Sequence, residues 1–128
     1  MNKAIVGTGT LFGMLAVILG AFGAHYLKVR LSETTLDSYQ TGVTYLMYHA
    51  LFLLILGSMN SFKTRAKRTV FYLIVSGMVF FSFSIFALTT APLAGLDLSS
   101  IGWVTPIGGA LLIAGWGVFG YRVFRGFI

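Results

Sequence analysis

His49 has the widest chemical range of any residue in this sequence. It stands in an apolar stretch, with Thr41 and Tyr45 before it at positions i, i+4 and i+8. On a helix those three side chains share one face, and Tyr48 flanks them. Eight residues of helix carry His49 about 12 Å inward from Thr41, close to mid-bilayer. An imidazole at that depth is a candidate proton relay, ligand-binding group or pore-lining group. The same placement suits a neutral histidine bonded to a tyrosine, a serine or a carbonyl of a neighbouring helix, which would hold the helices in register. Ser82, Ser84 and Thr105 add hydroxyls on later segments. Hydroxyls within a helix commonly bond their own backbone.

His25 lies one turn before Lys28, at the end of the first apolar stretch, an ordinary interfacial position with access to water. A haem or metal held between His25 and His49 would need both rings at one height, and their expected depths differ by ~7 Å. There is no cysteine, which excludes thiolate sites, disulfides and thiol nucleophiles. The acids are Glu33, Asp37 and Asp97, and none falls within an apolar segment to serve as a buried general base. No nucleophile elbow and no phosphate-cradling glycine motif is present. The expectation is a non-enzymatic protein with no metal and no cofactor.

Helices in lipid must position these side chains. Of the 128 residues, 57% are hydrophobic and only 9% charged, and the mean hydropathy is +0.89, outside the range of a soluble domain. Segments 4–27, 40–59, 69–91 and 104–124 are each about 20 residues long and nearly free of charge, long enough to cross the bilayer. The breakers and charges fall between them, in 28–39, 60–68 and 92–103. The expected fold is all-α, a single four-span transmembrane domain built as a four-helix bundle. The second helix should begin early, because Ser32 is a good N-cap and Glu33 and Asp37 suit the positive end of a helix dipole. Leu31, Leu36, Tyr39 and Val43 would then face the bundle, with Glu33 and Asp37 among the headgroups near Lys28 and Arg30.

Direction follows from the basic residues. Lys3, the cluster Lys63, Arg65, Lys67 and Arg68, and the pair Arg122 and Arg125 fall at one side, against Lys28 and Arg30 at the other. The positive-inside rule places the richer side, with both termini, in the cytoplasm. A secretory signal ending at Ala21-Phe22-Gly23 is the rival reading of the first segment, but that apolar stretch exceeds the usual 7–15 residues of a signal core. The net charge of +6 implies an anionic lipid surface as partner, since no basic run is interleaved with a soluble fold that could present it to nucleic acid.

Glycine spacing suggests how the helices meet. Gly9, Gly13, Ala16, Gly20 and Gly23 collect on one face of the first segment, and Gly108, Gly109, Gly115, Gly117 and Gly120 recur in the fourth. Small residues let helix backbones approach in lipid, either within the bundle or between subunits. Pro106 suits the first turn of the fourth helix.

Four motifs occur in order along the chain: Gly20-Ala-Phe-Gly-Ala-His25 with Leu27, Tyr45-x-x-Tyr48-His49-Ala50-Leu51, Phe81-Ser82-x-Ser84, and Thr105-Pro106-Ile107-Gly108-Gly109 with Gly115-Trp116. Together they resemble the bacterial membrane family catalogued as domain of unknown function 423, similar to the animal transmembrane protein 256. Phe83 and Phe86 stand where that pattern has Gly and Tyr. The resemblance implies a small multi-pass inner-membrane protein, brings no established activity, and marks His25, Tyr45, Tyr48, His49 and the Thr105-Pro106 turn as recurring positions. The leading functional expectation is an oligomeric or accessory envelope protein with a homo-oligomer or another membrane protein as partner. The alternative is a small transporter, channel or lipophilic-ligand binder using the ladder that ends at His49.

Overall fold

The computed structural model describes residues 2–126, and these contain no strand. Four helical spans long and apolar enough to cross a membrane run Asn2–Leu27, Glu33–Ser58, Thr64–Ala94 and Ser99–Phe124. The first is helix α1 (Asn2–Phe22) closed by a π-turn at Gly23–Leu27, and the second is helix α2 (Glu33–Ser58). The third is segmented into α3 (Thr64–Met78), a second π-turn (Val79–Phe83), α4 (Ser84–Thr90) and a 3-10 turn (Ala91–Ala94). A short 3-10 turn (Ser99–Ile101) precedes α5 (Val104–Phe124), with Pro106 in its first turn.

Local chemistry accounts for several boundaries. Ser32 adopts an extended backbone and its hydroxyl accepts the Thr35 N–H at 3.2 Å, so α2 starts at Glu33, before the apolar run. Tyr39 is buried, and Leu31, Leu36 and Val43 pack against the core. Glu33 and Asp37 stay exposed. Arg30 lies over the Tyr26 ring, 3.6 Å from its centroid, rather than beside those acids. On the loop before α5, the Ser99 backbone N–H bonds Asp97 at 3.0 Å and holds that exposed carboxyl below the usual carboxylate range. Gly95 ends the third span with φ 76°, a left-handed conformation that glycine adopts without strain.

The bundle is two antiparallel hairpins, α1 with α2 and α3 with α5, and these two pairs make the most extensive helix contacts. Glycine sets the spacing inside each hairpin. A Cβ at Gly9 would lie 2.9 Å from the Ala50 carbonyl oxygen, and one at Gly115 would lie 2.7 Å from Ile74. At Gly108 it would run into the backbone of Phe80 and Phe81 within the second π-turn, 2.8 Å from the Phe81 Cα. Gly13, Gly20 and Gly23 also face α2, and Ala16 is buried, so the small-residue face of the first span is spent within the chain. Between the hairpins the contacts are aromatic: Tyr45 with Phe81 at 5.0 Å, Phe52 with Trp116 at 4.5 Å and Tyr39 with Phe86 at 5.2 Å between ring centroids.

All seven basic residues of the richer side fall at one end of the helices. Lys63, Arg65 and Arg68 are exposed there, but Lys67 is not a solvated loop charge. Helix α3 already begins at Thr64, and Lys67 is only 3% exposed. Its ammonium donates to Asn2 Oδ1 at 2.8 Å and to the Met59 carbonyl at the end of α2. A cation at the negative end of a helix dipole is stabilising, by up to about 2 kcal/mol when partly buried. Lys67 therefore joins the start of α1, the end of α2 and the first turn of α3.

Gly108→Ala should lower the stability of the purified protein by about 1–3 kcal/mol, since the added methyl meets backbone that cannot step aside. Gly7→Ala meets no atom within 4 Å and should be neutral or slightly stabilising through helix propensity. Thermal unfolding in detergent, followed by circular dichroism, compares the two; equal losses would contradict this packing.

Candidate functional site: the His49 clamp and its recess

His49 points from α2 across the hairpin boundary and is only 4% exposed. Its Nε2 accepts the indole N–H of Trp116 on α5 at 3.0 Å. An indole nitrogen is a donor only, so Nε2 carries no proton and Nδ1 does. Nδ1 then donates to the Tyr45 carbonyl, one turn back on α2, at 2.7 Å. Both ring nitrogens are thereby satisfied by a neutral imidazole, and the two hairpins are joined at the level of that ring. Heights agree: His49 is nine residues before the end of α2 and Trp116 eight before the end of α5, about 12–13 Å from the same end of the bundle.

The other candidates divide into those gathered around this clamp and those apart from it. Tyr45 (40% exposed) stacks beside His49 with ring centroids 6.3 Å apart. Tyr48 is 59% exposed and faces outward, 6.1 Å from the Tyr45 ring. Thr41 is exposed and donates to the Asp37 carbonyl at 3.1 Å, so the ladder expected to run inward from it does not continue as one hydrogen-bonded chain. His25 is exposed within the first π-turn, at the far end from the basic cluster, and is not brought near His49. Among the described residues no group of three or more His, Cys, Asp or Glu could hold a metal ion.

The hydroxyls of the third span serve backbone carbonyls and one neighbour. Ser82 is fully buried in the second π-turn and donates to the Gly42 carbonyl on α2 at 2.8 Å, a second polar link between hairpins. Ser84 donates to the Phe81 carbonyl at 2.9 Å and lies 2.6 Å from the Thr105 hydroxyl. With the Ser84 proton so engaged, Thr105 is the donor of that pair. Among the described residues no buried side-chain nitrogen or oxygen lacks a partner.

A recess of about 310 Å³ opens beside the clamp, lined by Tyr45, His49, Phe81, Gly109, Leu112, Ile113 and Trp116. Apart from the imidazole, the indole and the Tyr45 phenol, its walls are hydrocarbon. Such a surface can hold an apolar side chain or lipid tail. Counting inward from the basic ends puts Trp116 at the depth of His49, a sequence signal for their shared level though not for their contact. The π-turns left no comparable signal.

Four apolar spans, two hairpins and a neutral polar clamp at depth define a polytopic α-helical membrane protein. No solved structure matches the chain. The chain belongs to the family described as protein of unknown function (DUF423), whose family model matches residues 19–109. It is 38% identical over 114 residues to a UPF0382 membrane protein of Staphylococcus aureus (strain bovine RF122 / ET3-1), covering 89% of each chain. Against a UPF0382 membrane protein of Staphylococcus saprophyticus the identity is 40%, covering 89% of this chain and 91% of the relative. Against the UPF0382 membrane protein YwdK of Bacillus subtilis it is 34%, covering 89% and 90%. The resemblance read from the four motifs is thus shown for the family.

Trp116→Phe keeps the ring and removes the donor. Interhelical hydrogen bonds in lipid average about 0.6 kcal/mol by double-mutant cycle. A cycle combining Trp116→Phe with His49→Ala should return a coupling of that order in a reversible unfolding assay, and no coupling would remove the clamp. Nitrogen NMR of His49 should independently find the proton on Nδ1 in the wild type.

Proposed function

We propose that this chain is a non-enzymatic accessory or oligomeric protein of the cytoplasmic membrane, with both termini on the cytoplasmic side. The excess of lysine and arginine at the end holding Asn2, Lys63 and Arg125 supports that direction. What carries the assembly reading is the division of glycines. Gly9, Gly13, Gly20 and Gly23 of the first span lie against α2, and Gly108 and Gly115 lie against the third span, whereas Gly117 and Gly120, one turn apart on α5, and the single Gly7 on α1 meet no atom within 4 Å. Glycine costs a helix about 0.5–1 kcal/mol relative to alanine, and in lipid its return is close approach of another helix. Gly117 adjoins Trp116, and Ile113, 74% exposed, lines the recess one turn earlier. A helix of a second copy or of another membrane protein could seat against this strip while the His49 clamp keeps the hairpins fixed.

The recess also favours a second reading, a lipophilic-ligand binder whose occupant contacts His49 and Tyr45. Native mass spectrometry on protein gently extracted from its own membrane separates the two. An oligomer or partner complex that Gly117→Leu dissociates, with the monomer still folded, is the expected result. A small molecule retained by wild type and lost with His49→Ala would favour the ligand reading, and a ligand-free monomer from both proteins would sink the assembly proposal.

A further inference from the structure

A second concavity lies far from the clamp, at the end opposite the basic cluster. It measures about 410 Å³ and is walled by Leu19, Phe22 and Tyr26 of the first span, Tyr39 of α2, and Phe86 and Leu93 of the third span. That volume is within the range of small-molecule sites. Two of its polar wall groups are already engaged. The Tyr39 hydroxyl donates to the Leu19 carbonyl at 2.6 Å, beside the first π-turn, and the Thr90 hydroxyl donates to the Phe86 carbonyl at 2.6 Å. Apart from the Tyr26 phenol, the wall therefore offers an occupant mainly hydrocarbon contact.

The rim is different. Phe22 stacks on Tyr26 with centroids 4.9 Å apart and an interplanar angle of 15°. The Arg30 guanidinium sits 3.6 Å from the centroid of the same Tyr26 ring. One face of that ring cannot hold both, so Phe22, Tyr26 and Arg30 form a layered column in which the first two rings line the recess and the cation lies just beyond them, against Tyr26. Arg30 Nη1 donates to the Tyr26 carbonyl at 2.9 Å, which fixes the head and leaves its other N–H donors for a ligand. A guanidinium so placed is suited to a phosphate or carboxylate. Lys28, exposed two residues earlier, adds to the positive charge.

From a mainly apolar cavity and a guanidinium anchored on its Tyr26 wall, we propose that this recess binds an anionic lipid, with one acyl chain between the first π-turn and the third span and the headgroup at Arg30. The lipid would bridge the two hairpins at the end where neither the His49 clamp nor Lys67 reaches. This site shares no residue with the strip on α5 and stands or falls independently of it.

The test uses the full chain in detergent and native mass spectrometry with added phosphatidylglycerol or phosphatidylcholine of identical acyl chains. Wild type should retain one phosphatidylglycerol with about tenfold preference, the scale of one charge-assisted hydrogen bond. Arg30→Gln should abolish that preference while leaving phosphatidylcholine retention unchanged. Ala94→Trp, at an exposed position lining the mouth, should block both lipids, and Leu93→Trp is the second filling variant should the first misfold. Retention of phosphatidylglycerol by a folded filling variant, or an anionic preference that survives Arg30→Gln, would overturn the proposal. Displacement of the lipid by millimolar inorganic phosphate alone would also overturn it, by showing a headgroup site with no seat for the chain.

Discussion

A polar group buried in hydrocarbon has no water to turn to, and the interior of this bundle is arranged around that constraint. Each deep polar side chain is committed to a partner inside the protein. His49 uses one nitrogen on its own helix and the other on Trp116. Ser82 reaches the Gly42 carbonyl across the hairpin boundary, and Thr105 meets Ser84. Because some of these partners belong to the opposite hairpin, satisfying them and assembling the bundle are the same event. The polar contacts add modest energy but fix which residues must face each other, a selectivity that hydrocarbon packing alone supplies poorly.

Packing divides the labour in a complementary way. Glycine brings backbones together within a hairpin, where a single methyl at Gly108 or Gly115 would collide with the neighbour. Between hairpins, larger rings fill a wider gap: Tyr45 on Phe81, Phe52 on Trp116, Tyr39 on Phe86. Two concavities with mainly apolar walls, beside His49 and beside Tyr39, occur where such rings span the gap without filling it.

Much of the fold was legible in the sequence because lipid imposes crude, strong rules. Length and apolarity marked four helices, Ser32 marked the true start of α2, and the spacing of Gly9, Gly13, Ala16, Gly20 and Gly23 marked a packed face. The depth of His49 was readable too, but its partner was not named, since contact between α2 and α5 depends on how the two hairpins dock, which no local pattern states. The burial of Lys67 was not legible, because it depends on Asn2, 65 residues away. The segmentation of the third span was invisible for a related reason. Its second π-turn lies against Gly108, a tertiary contact, and the run Val79–Phe83 reads as ordinary helix.

That π-turn keeps the third span in phase. A single residue of α-helix corresponds to about 100° of rotation, and a π-turn spends about one residue more on a turn than regular helix does. Were Val79–Phe83 wound as regular helix at unchanged length, everything beyond it would swing by about that angle. Ser84 would turn from Thr105, and Phe86 from Tyr39, although every one of those side chains was still encoded. Chain length here acts as phase: losing one residue from the turn and closing it to regular helix would leave the far end of the span facing as it does now, whereas the same loss from α4 would not.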